Sequence, residues 1–376
     1  MTQTPNTQKL SDAGVSIWLD DISRSRLRSG NLKELISNYN VVGVTTNPAI
    51  FNNAISSDSA YQADLSAAAA TGLSPAQTVM RLACEDVKTA CDQLLDVYQK
   101  SHKKDGYVSI EVEPELAHNT AGTIAQAAQL WERISRPNLM IKIPATTAGL
   151  AAITETIGAG ISVNVTLVFS LERYREVITA FLSGLELAQQ CGHDLAQIAS
   201  VASFFVSRFD TAVDPLLARS DYPQAAQLTS KTAVANARQA YKIFLDSLTT
   251  PRFKALRAVG AQPQRLLWAS TGVKDAKLPA SYYVTEIVAA DTVNTMPEQT
   301  LFAAAKTSDT ISPDSVTANF ANSAAIIARL ATYGISYDDI TAQLEREGLE
   351  KFERAWHELL QTVTQKQAEA LSNNAQ

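Results

Sequence analysis

The chain has 376 residues, 46% of them apolar and 19% charged, with a formal net charge of −6. That composition supplies a substantial core and excludes a disordered chain, and the acidic balance without a basic run excludes an extended nucleic-acid-binding face. No run of about 18 apolar residues occurs, so no membrane-spanning helix is expected.

The polar start, MTQTPNTQKLSDAG, lacks the apolar stretch of a secretory signal. Three cysteines, Cys84, Cys91 and Cys191, are odd in number and sit in helix-like surroundings, which fits a reduced, cytoplasmic protein. Cys84 and Cys91 lie two helical turns apart on one face and read as buried packing. The histidines are scattered without metal-ligand spacing, so no metal is expected.

In chain order, Val15 to Leu19 is the first strand, followed at once by Asp20 and Asp21. A helical stretch over 23–37 has a weak interior point at Ser29-Gly30. Val41 to Thr46 is the second strand, and Asn47-Pro48 reads as the turn that ends it. Two helices follow, 58–70 and 74–100, the second with Pro75 behind a Ser74 cap. Tyr107 to Val112 is the third strand, and a helix over 120–135 leads to the fourth, LMIKIP at 139–144. Thr147 is the expected cap of the next helix, stopped by Gly158 and Gly160. Ile161 to Phe169 is strand five, with a helix over 170–190, and Ile198 to Val206 is strand six. Helices near 210–217 and 229–247 precede Arg265 to Ser270, and Thr292 to Met296 is a short eighth strand. The tail from about 317 is helical, with an amphipathic run over 337–366, and residues 371–376 are expected to fray.

Short apolar strands each followed by helix, without a composition break, predict a (β/α)8 TIM barrel. The whole chain, 1–376, reads as one barrel domain with helical insertions near 58–100 and 210–247. An open doubly wound sheet is the alternative, but its Gly-rich first turn is missing. Gly158-Ala159-Gly160 precedes a strand and lacks the third glycine. Monomer and homodimer are both left open.

Inward polar residues at the C-terminal ends of barrel strands are the default active-site set. Here they are Asp20, Asn47, Glu111, Lys142, Asn164, Thr166, Ser203 and Ser270. Each has an ordinary explanation. Lys142 could snorkel to water, Asn47 could make an Asx-turn, Glu111 could cap or pair with a surface lysine, and Asn164 and Thr166 could bond neighbouring backbone. Taken together they say more, because a sheet core buries polar groups only with partners. A lysine, two carboxylates and two amides at one barrel mouth make up a Schiff-base site: amine nucleophile, proton-moving carboxylate, amides for sugar hydroxyls.

The motifs WLDD (18–21), GVTTNPAIF (43–51), SIEVEP (109–114), IKIPAT (141–146), NVTLVFS (164–170), ASFFVSR (202–208), WASTGVK (268–274) and DTVNTMPE (291–298) resemble, in order, those of the transaldolase family, in its longer bacterial branch. The resemblance implies a class I, Schiff-base barrel of the pentose phosphate pathway that moves a dihydroxyacetone unit between sugar phosphates, with no metal and no organic cofactor. It further implies that Lys142 forms the imine and that Asp20 is the acid/base of carbon–carbon cleavage. Glu111 and Thr166 would position a water, and Asn47 and Asn164, with Ser203, would bind donor hydroxyls. Phe205 would lie beside the substrate, with Arg208 and Ser270 on its phosphate. Asp21 would then cap the following helix. Where the shorter branch has a second arginine after the serine, this chain reads Ser270-Thr271-Gly272-Val273-Lys274, so Lys274 would supply that charge. Two alternatives stand beside this: a fructose 6-phosphate aldolase-like lyase, disfavoured by a carboxylate at Glu111, and a sugar-phosphate-binding barrel without turnover.

Overall fold

Buried parallel strands read as unbroken apolar runs because helices cover them from outside. Eight such runs become β1 (Val15–Leu19), β2 (Val41–Val44), β3 (Tyr107–Glu111), β4 (Leu139–Pro144), β5 (Val163–Val168), β6 (Ser200–Phe205), β7 (Arg265–Ala269) and β8 (Thr292–Met296). The computed structural model describes residues 4–374. The strands pair in chain order, all parallel, and β8 closes on β1 through a register running from Val15–Thr292 to Leu19–Met296. The fold is a (β/α)8 barrel. Barrel interior and surrounding helices share one apolar cluster.

Several strands are shorter than the apolar runs that encode them, because their last residues turn into the mouth of the barrel. Thr45 still donates its N–H to Leu19, but lies past the end of β2. Ser270 leaves β7 with φ +56° and Leu167 stands at φ +60° inside β5, where the pairing with β6 shifts register. Left-handed backbone at non-glycine residues costs about 1–3 kcal/mol and clusters where side chains must be aimed. Leu167 follows Thr166, and Ser270 is itself at the cavity wall.

Gly43 of β2 is required by its neighbour. A Cβ there would meet the Trp18 indole at 2.5 Å, and Trp18 pairs with Gly43 in the β1–β2 register.

Four helices of eight or more residues were not anticipated from the sequence: Pro5–Asp12, Pro48–Ser57, Pro251–Ala258 and Glu298–Lys306. The first three begin with proline at their first turn, and the fourth follows Pro297. Asn47-Pro48, read as the turn that ends a strand, also opens a helix, since the N–H that proline lacks is one that a helix leaves unbonded anyway. The stretch over 23–37 divides at Gly30, whose φ of +85° separates helices Arg24–Ser29 and Asn31–Tyr39. Two expected caps are corrected. Ser23, not Asp21, accepts from Arg26 N, while the Asp21 carboxylate pairs with the Arg26 guanidinium at 2.7 Å. Thr146, not Thr147, accepts from Gly149 N at 2.9 Å. The Ser74 cap is present as a reciprocal box with Gln77. Cys84 and Cys91 are buried on that helix, Pro75–Lys100.

The last helix, Tyr337–Asn374, is longer than expected and crosses the mouth of the barrel. The end read as frayed stays helical to Asn374, and 375–376 lie outside the described residues, as do 1–3 at the polar start. Tyr337 anchors the helix at its start, accepting from Leu171 N and donating to Asn236. Gln367, near its end, donates to Leu73 O and Thr78. Between them Phe352, Trp356 and Leu359 are buried, each worth about 1.5–3 kcal/mol of apolar transfer. Among the described residues no helix is long and apolar enough to cross a membrane.

Candidate active site

Register places the chemistry. Glu111 of β3 pairs with Lys142 of β4, and Lys142 with Asn164 of β5. Alternation turns the three side chains into the barrel. Lys142 is 5% exposed. Its Nζ donates to the Thr46 carbonyl at 3.1 Å and to Glu111 Oε2 at 3.4 Å. The Thr46 hydroxyl donates to Ser109 O, which holds that residue in place beside the lysine. Snorkelling is therefore ruled out by geometry: the ammonium points inward, onto an internal carboxylate.

Burial pushes the Glu111 carboxyl up to about 7, against the pull of Lys142, which lowers it. Asp20 follows β1 and accepts a 2.7 Å hydrogen bond from Thr45 Oγ1. Thr45 in turn lies 2.6 Å from Thr295 Oγ1. Burial raises the Asp20 carboxyl above its ordinary range, with Lys142 and the Thr45 hydrogen bond opposing the shift. Two carboxyls with raised proton affinity thus flank one lysine, the arrangement expected where protons must be taken and returned near neutral pH.

A cavity of about 830 Å³ opens above Lys142. Asp20, Asn47, Thr166, Ser203, Phe205, Arg208, Ser270 and Lys274 reach its wall together with the lysine. Glu111 and Asn164 do not. Glu111 stands behind Lys142, and Asn164, opposite Lys142 in the β4–β5 register, has its amide spent on Ser109 (3.0 Å) and Ser203 (2.7 Å). The position expected to hold donor hydroxyls directly instead orients Ser203. Thr166 Oγ1 has no hydrogen-bond partner among the described residues. Asn47 both lines the cavity and caps helix Pro48–Ser57, so its turn explanation and its placement at the site hold at once.

The outer end is basic. Arg208 sits in the first turn of helix Ser207–Ala218 with its Cζ 5.0 Å from the Phe205 ring centroid, and Phe205 packs on Phe169. Ser207 ties this helix start to Ser270, N–H to carbonyl and hydroxyl to hydroxyl, both 3.0 Å. A helix start and a guanidinium facing one space favour an anion there. Arg208 has no salt bridge or side-chain hydrogen bond among the described residues, and burial lowers its pKa.

The sequence reading missed the cover. The C-terminal helix lends Gln343, Leu344, Glu347, Lys351 and Phe352 to the cavity wall, and Lys142 Nζ lies 5.4 Å from the Phe352 ring centroid. Thr45 and Thr295 were also missed. Threonine in a strand is common, and only the fold brings these two to Asp20.

This chain is similar to known proteins over nearly all of its length. A family model described as Transaldolase/Fructose-6-phosphate aldolase matches residues 17–363. The transaldolase of Saccharopolyspora erythraea is 53% identical over 96% of this chain and 98% of its own length. Transaldolase 1 of Streptomyces coelicolor is 54% identical over 95% and 93%, and the transaldolase of Mycolicibacterium smegmatis 51% over 98% and 99%. With a closed barrel, an inward lysine on β4 and matches from end to end, the chain belongs to the transaldolase/fructose-6-phosphate aldolase family.

Proposed function

We propose that this protein is a transaldolase, a transferase that moves a three-carbon dihydroxyacetone unit from a ketose phosphate to an aldose phosphate through an imine on Lys142. The ketose is fructose 6-phosphate or sedoheptulose 7-phosphate. The observation that carries the reading is the buried Lys142, at the wall of a cavity whose far end is basic and paired behind that wall with Glu111. An amine must be neutral to attack a carbonyl. Glu111, with a carboxyl near 7, is the group placed to take the ammonium proton and return it as water leaves the carbinolamine. Thr166, with a free hydroxyl on the cavity wall, orients the water that relays it.

Once protonated, the imine is an electron sink. Asp20 removes the proton from the C4 hydroxyl, the C3–C4 bond breaks, its electron pair enters the imine, and the aldose phosphate departs. The three-carbon enamine stays covalently bound until a second aldehyde arrives, and Asp20 then returns its proton to the new hydroxyl. Asn47 and Ser203 hold the donor's hydroxyls, with Asn164 fixing Ser203. Phe205 walls the sugar, and Arg208, Ser270 and Lys274 hold the phosphate. The cover by the C-terminal helix keeps water from the enamine.

The test is product partition. With fructose 6-phosphate and erythrose 4-phosphate the protein should form sedoheptulose 7-phosphate and glyceraldehyde 3-phosphate, and without acceptor it should release little dihydroxyacetone. Sustained release of free dihydroxyacetone would reassign it to the aldolases. Binding of fructose 6-phosphate without either product would make it a non-catalytic barrel.

A further inference from the structure

Several arginines drawn in from the surface of this protein are matched by carboxylates: Arg24, Arg26, Arg238, Arg252 and Arg265. At the outer end of the cavity the half-buried Arg208 has no such partner among the described residues. Arg208, Lys274, Lys351 and Arg354 gather there, and none of them forms a salt bridge among the described residues. In a chain of net charge −6 this is a local positive field facing a cavity. The nearest tempering charge is Glu347, which faces Arg208 from the same wall.

Lys351 differs from the other cations in how it is held. It rides on the long helix Tyr337–Asn374, whose phase is fixed by its neighbour Phe352, buried over Lys142. Leu344, Glu347 and Lys351 recur at helical spacing and share the face turned to the cavity. Lys274 instead follows Gly272 in an irregular loop after β7. Like charge from Arg208 above all, then burial, Lys274 and Arg354, makes the Lys351 ammonium harder to keep protonated. A bound dianion would relieve that repulsion.

We propose that Lys351 is a specificity-determining contact for the substrate phosphate, an ammonium brought by the covering helix to the group that Arg208 and Ser270 hold from the barrel. This rests on the reading of the Arg208 end as the phosphate end. The phosphate then bridges barrel and cover, so phosphorylated sugars fasten the helix over the enamine and unphosphorylated ones do not.

The experiment compares kcat/KM for erythrose 4-phosphate with that for D-glyceraldehyde as acceptors, and measures inhibition by inorganic phosphate. In Lys351→Met the preference for the phosphorylated acceptor should fall about tenfold, the worth of one charge-assisted contact. The inhibition constant for phosphate should rise to match, and Lys351→Arg should restore both. Arg354→Met removes the same charge from a side chain that is off the cavity wall, and should move the preference much less. An equal drop in Arg354→Met, or no drop in Lys351→Met, overturns the contact. Arg208→Gln separates the two readings. If it too leaves the preference intact, the phosphate end is misplaced. If it abolishes the preference while Lys351→Met does not, only the role of Lys351 falls.

Discussion

At the scale of single residues, the site is a lysine between two carboxyls whose proton affinities are both raised by burial. For Glu111 the sign follows from its proposed role as proton acceptor. Below about 7 the carboxyl carries its own proton and cannot take one from Lys142, so kcat/KM should fall as pH drops through that value. Glu111→Gln should lose that limb and about 10²-fold in rate, and a pH–rate profile of both proteins measures it. Thr45 makes a second prediction. Its hydroxyl donates to Asp20 and lowers that carboxyl's pKa, so Thr45→Val should raise it and slow cleavage about tenfold. Borohydride trapping on Lys142 should persist in that variant, because imine formation does not pass through Asp20. Equal loss of trapping and cleavage would show that Thr45 supports the whole site and not Asp20 alone. Lys142, Asp20 and Glu111 were legible in the sequence because charge inside an apolar strand, or directly at its end, is conspicuous. Thr45, Thr295 and Lys351 were not, since a strand threonine and a lysine on an amphipathic helix are each the ordinary case.

At the scale of elements, the strands were legible because buried parallel strands leave continuous apolar runs, and their ends were not, because the chain leaves the sheet through polar residues that still sit inside the barrel. Thr45 and Ser270 are such residues. The helix opening on Pro48 was hidden because Asn47-Pro48 carries a turn signal and a helix start at once. The sequence marked the C-terminal helix as amphipathic but could not say what it covers, since its contacts with β4 join residues far apart in the chain. Phe352→Leu keeps most of the apolar volume and removes the ring beside the Lys142 cation. It should lower kcat roughly two- to fivefold, the worth of a partly desolvated cation–π contact, and raise the share of free dihydroxyacetone over transfer. An unchanged partition would mean that the ring does not shield the intermediate. Gly43→Ala forces a Cβ onto the Trp18 indole and should cost about 1–3 kcal/mol by overpacking, seen as a lowered melting temperature.

At the scale of the whole molecule, an acidic protein presents a basic cavity end, so its local field attracts phosphorylated sugars where they are to be held. The barrel fixes the reacting groups on adjacent strands, and the last helix completes the enclosure. Every step of the proposed transfer runs through a covalent bond to one lysine. Incubation with fructose 6-phosphate and borohydride, followed by proteolysis and mass spectrometry, measures this directly. The expected result is a reduced sugar adduct on the peptide containing Lys142, three-carbon once the aldose phosphate has left, and none in Lys142→Met, with transfer down by at least about 10⁴-fold. An adduct on another lysine, or full transfer activity in Lys142→Met, would contradict it.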